Sequence, residues 1–257
     1  MDLDYEFFYK WIFKNYGLTL EAYKDAQMQR RLASVMRKSG ASDLKEYSEL
    51  IRTDDKVRED FFNQVTINVT EFVRNKDKFT EFESVLFSNV FPKFGNVKIW
   101  SAACSNGAEP YTVGMMLHKR RLENKAKIIA TDIDKNILQK AKDAVYKDRD
   151  LKNLDKHDLL KYFHSKDGDF TLGDDIKKLV TFKRHDLIND TYEKGNHAII
   201  CRNVTIYFKN DVRNEIYHKF SEALVPGGIF FIGATEGIYN PAEYGLKKIT
   251  TSIYEKV

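Results

Sequence analysis

From about Lys98 onward the chain alternates short β-rich apolar runs with helical stretches, and this rhythm constrains its fold more than any other feature. Val97–Ala102 reads as a strand, Pro110–Glu123 as a helix, Lys127–Thr131 as a strand and Lys135–Tyr146 as a helix. Val180–Lys183 and His197–Cys201 are further strands, Asp211–Leu224 a helix and Gly228–Gly233 a strand. Such alternation predicts an α/β domain with a mainly parallel sheet and helices on both faces. Leu246–Ile249 and Thr251–Glu255 follow with no helix between them and predict a closing antiparallel pair. At Tyr162–Gly173, Lys-Asp-Gly-Asp between aromatic-bearing arms signals an inserted hairpin.

The first third has helical periodicity instead. Phe8, Ile12 and Tyr16 share a face, and Gly17 is a stop. Met28, Leu32, Val35 and Met36 mark a second helix that ends before Gly40. Asp43 is an N-cap for a third, with Glu46 three residues on and Leu44, Tyr47, Leu50 and Ile51 behind it. Val57, Phe61 and Val65 mark a fourth. Four short helices predict a small all-α domain. Between it and the sheet, Val65–Asn75 lacks clean periodicity and reads on its own as a plain connector.

Composition excludes several classes. With 42 Lys plus Arg against 38 Asp plus Glu, the net charge is +4 over 257 residues, too small to argue for a nucleic-acid enzyme. Hydrophobic residues at 42% exclude wholesale disorder. No apolar run approaches the roughly 18 residues of a membrane span. The acidic Met-Asp-Leu-Asp start is unlike a signal peptide, and only Cys104 and Cys201 occur, so a reduced cytoplasmic setting is expected. Six dispersed histidines, without His-Glu-x-x-His or paired Cys-x-x-Cys, predict no metal.

The chemistry concentrates at predicted strand ends. In Ile99-Trp-Ser-Ala-Ala-Cys-Ser-Asn-Gly-Ala-Glu109-Pro-Tyr a strand enters a turn of small residues and then a helix. Small residues let a ligand approach the backbone at the carboxyl edge of the sheet, although a tight turn alone would also use them. Gly107 stands without the other glycines of a dinucleotide fingerprint, which disfavours a pyrophosphate cradle. Asp132, ending the next strand, can accept both ribose hydroxyls of an adenosine, while Asp134 reads as a helix N-cap. A ribose acid without a phosphate loop favours a phosphate-free adenosine ligand, and S-adenosylmethionine fits. Asp186 can meet an adenine amino group or serve its own loop. Asn203 offers donor and acceptor together for an amino-acid head group, or is a turn residue.

Taken in order, Thr66–Arg74, Trp100–Tyr111, Ala130–Asp134, His185–Leu187 and Cys201–Phe208 resemble the successive motifs of the chemotaxis receptor methyltransferase family. These enzymes transfer a methyl group from S-adenosylmethionine to receptor glutamates, leaving S-adenosylhomocysteine. The resemblance implies an all-α domain over 1–66 as a receptor-docking candidate and a linker over 67–80 that contributes to the cofactor site. It implies a Rossmann-like, seven-stranded class I methyltransferase domain over 81–257, with a β-subdomain insertion near 160–175. It further implies that Asn68, Thr70 and Arg74 reach the cofactor and that Glu109 faces its methionine amino end. Asp132 would hold the ribose, Asp186 and Leu187 the adenine, and Asn203 and Val204 would lie beside the head group. Two positions depart from the family: Ala103 stands where glycine is usual, and Ala108 replaces the first of two acids.

A carboxylate nucleophile needs no general base, since its reference pKa is about 4.3. The residues expected to act on the transfer are therefore Arg74, orienting the incoming carboxylate, and Tyr207, donating a hydrogen bond or merely packing under the sheet edge. Lys24, Arg30, Arg31, Arg37 and Lys38 recur at seven-residue spacing and predict one basic stripe, by default a solvated face; the family resemblance implies that it docks on an acidic, helical receptor. Expected partners are thus chemotaxis receptors, with no nucleic acid, no membrane insertion and no more than a monomer. Two rivals remain. An RNA methyltransferase could use Cys201, but Ile200 precedes it where such enzymes carry proline. A non-catalytic receptor-binding adaptor could share the fold.

Overall fold

The computed structural model describes residues 3–66 and 68–257. Ile67, where the expected linker begins, and Met1 and Asp2 at the acidic start lie outside the described residues. The chain divides into two compact units: one runs to Asn68 and takes in Tyr207–Arg213, and the other holds Val69–Ile206 and Asn214–Val257.

The helical unit contains α1 (Tyr5–Tyr16), α2 (Asp25–Lys38), α3 (Leu44–Thr53) and α4 (Asp55–Thr66). Asp4 caps α1 through Phe7 N–H, and Gly17 ends it at φ 68°, a left-handed conformation that favours glycine. Asp43 caps α3, accepting from Lys45 and Glu46 N–H at 2.9 and 2.8 Å. Glu46 does not close a reciprocal box on Asp43; it takes Ser42 N–H and Oγ–H at 2.7 and 2.6 Å. Phe8 packs on Tyr47 and Phe61 at ring separations of 5.8 and 6.0 Å, and all three are fully buried.

The second unit opens with a helix the sequence reading passed over: α5 (Lys76–Val85), a π-helical turn at Leu86–Val90, and α6 (Phe91–Phe94). Then follow β1 (Val97–Ala102), α7 (Ala108–Lys119), β2 (Ala126–Asp132) and α8 (Lys135–Asp143). The insertion contains β3 (Val145–Tyr146), α9 (Asp148–Leu151), α10 (Lys156–Tyr162), β4 (Phe163–Lys166), β5 (Asp169–Leu172) and α11 (Asp174–Lys177). The chain finishes with β6 (Val180–Arg184), β7 (Asn196–Cys201), α12 (Asn210–Ala223), β8 (Leu224–Ile232), β9 (Leu246–Lys248) and β10 (Ile253–Lys256). The seven-stranded sheet runs β6-β2-β1-β7-β8-β10-β9. Its first five strands are mutually parallel, and β10 is antiparallel to both neighbours.

Alternation along β1 explains the two layers. Val97 and Ile99 join a core shared with Phe79 and Phe82 of α5 and Val113 and Met116 of α7. Trp100 points the other way, 5.3 Å from Phe220 of α12. Central strands buried on both faces read as continuous apolar runs, which is why Ile128–Ala130 and Ala198–Cys201 were visible in sequence.

Several boundaries require correction. Tyr146 belongs to β3, paired with β5, and not to a helix: Ala144 at φ 53° ends α8 and turns the chain into a second, three-stranded sheet, β3-β5-β4. The insertion therefore reaches back to Val145, beyond the expected 160–175. Helix α7 begins at Ala108, so Pro110 is its third residue and not its first, and it stops at Lys119 rather than Glu123.

Candidate functional site

The turn after β1 carries three residues at positive φ: Ala103 (58°), Ser105 (51°) and Gly107 (85°). Ala103 thus keeps the left-handed geometry that a glycine would adopt freely, at a cost of about 1–2 kcal/mol. A Cβ at Gly107 would meet Tyr111, Ala141 and Phe182 at 3.0–3.2 Å, so that position is closed to other residues on two counts. The turn is held to β2 by Cys104 N–H on the Thr131 carbonyl at 2.8 Å and Ser105 N–H on Asp132 Oδ2 at 2.9 Å.

Asp132 is buried and accepts Asp134 N–H on its other oxygen at 3.1 Å. Burial outweighs these hydrogen bonds and raises its pKa to about 6. Asp134 caps α8 through Asn136 and Ile137 N–H.

Glu109 is buried on α7, where Ser101 Oγ–H donates to it at 2.8 Å and the Arg202 guanidinium lies 3.5 Å away. Arg202 donates to the Arg74 carbonyl at 2.8 Å and to Asn75 Oδ1 at 3.0 Å, and stands 4.8 Å from the Phe79 and Phe231 rings. For this pair desolvation is the larger effect: it pushes Glu109 up and Arg202 down from their ordinary values.

Asn203 adopts φ 60° just after β7. Glu236, three residues after the Gly233 that follows β8, receives the N–H of Asn203, Val204 and Thr205 at 2.8, 3.1 and 3.0 Å. It also receives Thr205 Oγ–H at 2.9 Å and Gly233 N–H at 2.6 Å.

The Asp186 carboxylate accepts from Ile188 N–H, Asn189 N–H and Asn189 Nδ2–H, so its own loop already occupies much of it. Leu187 is buried beside it. The linker is no plain connector. Phe72 inserts between Tyr146 and Phe163 at 4.8 and 5.3 Å, and its N–H meets the Asp150 carbonyl. Val73 N–H meets Thr112 Oγ1, and Glu71 pairs with Lys152 at 2.7 Å. The Arg74 side chain folds back on the Val69 carbonyl at 2.8 Å. Thr70 is half-buried; Asn68 groups with the helical unit.

Tyr207 also groups with the helical unit. Its carbonyl accepts Lys24 N–H at 2.9 Å, and its ring lies 4.7 Å under the Arg31 guanidinium. The basic stripe splits accordingly. Lys24 is the residue before α2, Arg31 is half-buried on Tyr207, and Arg30, Arg37 and Lys38 are exposed. A step of one residue turns a helix by about 100°, so Arg30 and Arg37 cannot share a line with Arg31 and Lys38.

Among the described residues one group of metal-type donors converges, Asp155, His157 and Asp158, within 4.8 Å of one another. Lys119 Nζ already sits 2.5 Å from Asp158, and Asp155 caps α10. Cys201 is fully buried, and burial pushes its thiol well above the ordinary value, which suits packing and not nucleophilic attack.

Sequence reasoning missed Glu236, Arg202, Ser101 and Ser105 as parts of this edge. Arg202 was within reach, inside Cys-Arg-Asn-Val; Glu236 left only the faint signal of an acid shortly after a strand-ending glycine.

The edge fits an adenosine ligand without phosphates. It offers a buried carboxylate for hydroxyl donors, and a turn with one glycine where a pyrophosphate cradle needs three. Two buried polar atoms, Ser105 Oγ and Asn203 Oδ1, have no protein partner among the described residues.

Comparison with known proteins agrees. The family described as CheR methyltransferase, SAM binding domain, matches residues 68–253, and the CheR methyltransferase all-alpha domain matches residues 3–66. S-adenosylmethionine is thus the cofactor of the matched domain. Chemotaxis protein methyltransferases of Listeria innocua and Listeria monocytogenes are 34% and 35% identical over 261 and 257 positions, each covering 100% of this chain and 98% of the relative. That of Escherichia coli is 31% identical over 235 positions, covering 88% of this chain and 81% of the relative. No helix among the described residues is long and apolar enough to cross a membrane. On these matches, which span both units, the chain belongs to the CheR methyltransferase family.

Proposed function

We propose that this protein methylates glutamate side chains of chemotaxis receptors, forming glutamyl methyl esters, and that it acts in the cytoplasm as a monomer. The observation that carries the reading is the carboxyl edge of the sheet, where the buried Asp132 carboxylate, together with Ser105 Oγ and Asn203 Oδ1, which have no partner among the described residues, suits a phosphate-free nucleoside with an amino-acid head group. In this reading residues 1–66 dock the receptor, 67–80 close over the cofactor and 81–257 hold it.

When bound, S-adenosylmethionine supplies a methyl group already activated on sulfur, for which an ionised carboxylate is a competent nucleophile. The chain must then position and desolvate. Asp132 accepts the ribose hydroxyls, Asp186 and Leu187 flank the adenine, and Glu109, Asn203 and Val204 frame the head group. Asn68 and Thr70 would contribute further contacts to the cofactor. Arg74 would orient the incoming carboxylate, and Tyr207 would donate a hydrogen bond to the reacting groups. Arg202 acts behind them, holding Glu109 and the Arg74 backbone.

Labelled methyl transfer to receptor-bearing membranes tests this. Base-labile label on wild-type receptors, absent when their modified glutamates are replaced by alanine, is the expected outcome. Label on RNA alone, or none despite calorimetric binding of S-adenosylhomocysteine, would defeat it, the latter in favour of an adaptor.

A further inference from the structure

We infer that Glu236 is a positioning residue for the cofactor's amino-acid end, acting through Asn203. The inference rests on the reading of Asn203 given under the proposed function.

Three observations carry it. Asn203 sits at φ 60°, a left-handed conformation that asparagine tolerates better than other non-glycine residues and that its neighbours here hold in place. What imposes it is the Glu236 carboxylate, whose two oxygens gather the backbone N–H groups of Asn203, Val204 and Thr205 in succession. Three consecutive amides on one buried carboxylate hold the turn through charge-assisted hydrogen bonds, the arrangement by which backbone nests hold anions. Then the side chain so presented keeps Oδ1 buried and without a protein partner among the described residues, so the turn is held in readiness for a donor from outside the protein. An α-ammonium group is such a donor.

The third observation is steric. A Cβ at Gly233 would stand 2.6 Å from Glu236 Oε2 and 2.9 Å from both Asn203 N and Nδ2. The strand end is therefore cut away to let Glu236 and Asn203 meet. Thr205 Oγ, which contacts Tyr217 at 2.9 Å, holds the other oxygen in place.

Glu236→Gln is the discriminating change. Its amide keeps one acceptor for Val204 and Thr205 but turns an NH2 group toward Asn203 and Gly233 N–H, which are themselves donors. Gly233→Ala attacks the same contact with the carboxylate left intact. Full-length protein is titrated with S-adenosylhomocysteine and with 5′-methylthioadenosine, which shares the nucleoside but lacks the amino-acid end. Both variants should bind S-adenosylhomocysteine about tenfold or more weakly while 5′-methylthioadenosine changes by less than about twofold. Asn203→Ala should show the same selective loss.

Equal weakening of both ligands would mean that Glu236 merely supports the fold, and unchanged binding of both would mean that it supports nothing at the site; either overturns the inference. If Asn203→Ala leaves the ratio of the two affinities unaltered, the reading of Asn203 fails and the inference falls with it. If Asn203→Ala is selective while Glu236→Gln and Gly233→Ala are not, Asn203 stands and Glu236 alone is rejected. Should Glu236→Gln not fold, Gly233→Ala decides.

Discussion

The carboxylate of Glu109 and the guanidinium of Arg202 face each other at 3.5 Å in the interior, and burial strains both: it raises the acid and lowers the base. Breaking such a pair from one side leaves an uncompensated buried charge, at a cost of about 3–5 kcal/mol. Arg202→Met should therefore lower stability by that amount, read by urea unfolding. Glu109 has a folded pKa above its unfolded one, so the stability it contributes is complete below the unfolded value and disappears as pH rises through the folded value. Loss of Arg202 moves the folded value higher still. The deficit of Arg202→Met should widen from pH 5 to pH 8, and adding Glu109→Gln should recover part of it. A deficit independent of pH would show that the pair is not the cause.

Burial raises the pKa of Asp132 to about 6, and its carboxylate accepts hydroxyl donors best when ionised. S-adenosylhomocysteine should bind up to about tenfold more weakly at pH 5 than at pH 7, and binding should release a proton across that window. Stability of the ligand-free protein carries the opposite sign: the raised pKa favours folding below about pH 4 and loses that contribution as pH rises through about 6. Calorimetry in buffers of different ionisation heat measures the proton. Asp132→Asn should abolish both dependences, and a flat profile in the parent would refute the assignment.

Arg74→Ala should abolish most methyl transfer while the fold survives. Among the described residues its side chain makes one exposed hydrogen bond, to Val69, whereas the contact that anchors the segment is made by its backbone carbonyl and outlives the substitution. Unfolding should shift by less than about 1 kcal/mol. Near-full activity on receptor membranes would reject the role.

Gly107→Ala and Ala103→Gly should move stability in opposite directions. The first places a Cβ 3.0–3.2 Å from three side-chain atoms at φ 85° and should cost about 2 kcal/mol. The second relieves a left-handed alanine, offset by about 0.5–1 kcal/mol of added chain entropy, so it should be neutral to slightly stabilising. Thermal melts of the two variants settle the comparison.

Arg30→Glu with Arg37→Glu should slow receptor methylation and flatten its salt dependence, leaving S-adenosylhomocysteine affinity alone. Arg31→Ala should behave differently, since its guanidinium covers the Tyr207 ring and its removal disturbs that residue as well as the charge. Identical rates for the reversed variant and the parent across a salt series would dismiss the docking face.

The elements most legible in sequence were those whose burial is one- or two-sided by simple rule. The parallel strands read as apolar runs, and Met28, Leu32, Val35 and Met36 gave the inward face of α2. The fold class followed from their order. Helix α5 escaped because Phe79, Phe82 and Val85 are spaced among charges and run into a π-helical turn that breaks the period. Tyr146 escaped because a two-residue strand has no periodicity, and only its pairing with Phe170 defines it. At the site, strand-end position singled out Asp132, Asp186 and Asn203. Glu236 stayed hidden because its importance lies in three amides of a distant turn, a relation that carries no residue-type signature of its own.

Phe72, seated between the rings of Tyr146 and Phe163, has a mechanical consequence. With Glu71 tied to Lys152, Val73 to Thr112 and the Arg74 carbonyl to Arg202, four consecutive residues of the segment are each held by a partner. Phe72 and Glu71 bind it to the inserted sheet and its neighbours, while Val73 and the Arg74 carbonyl bind it to α7 and to Arg202, so the backbone at Arg74 is pinned from two sides.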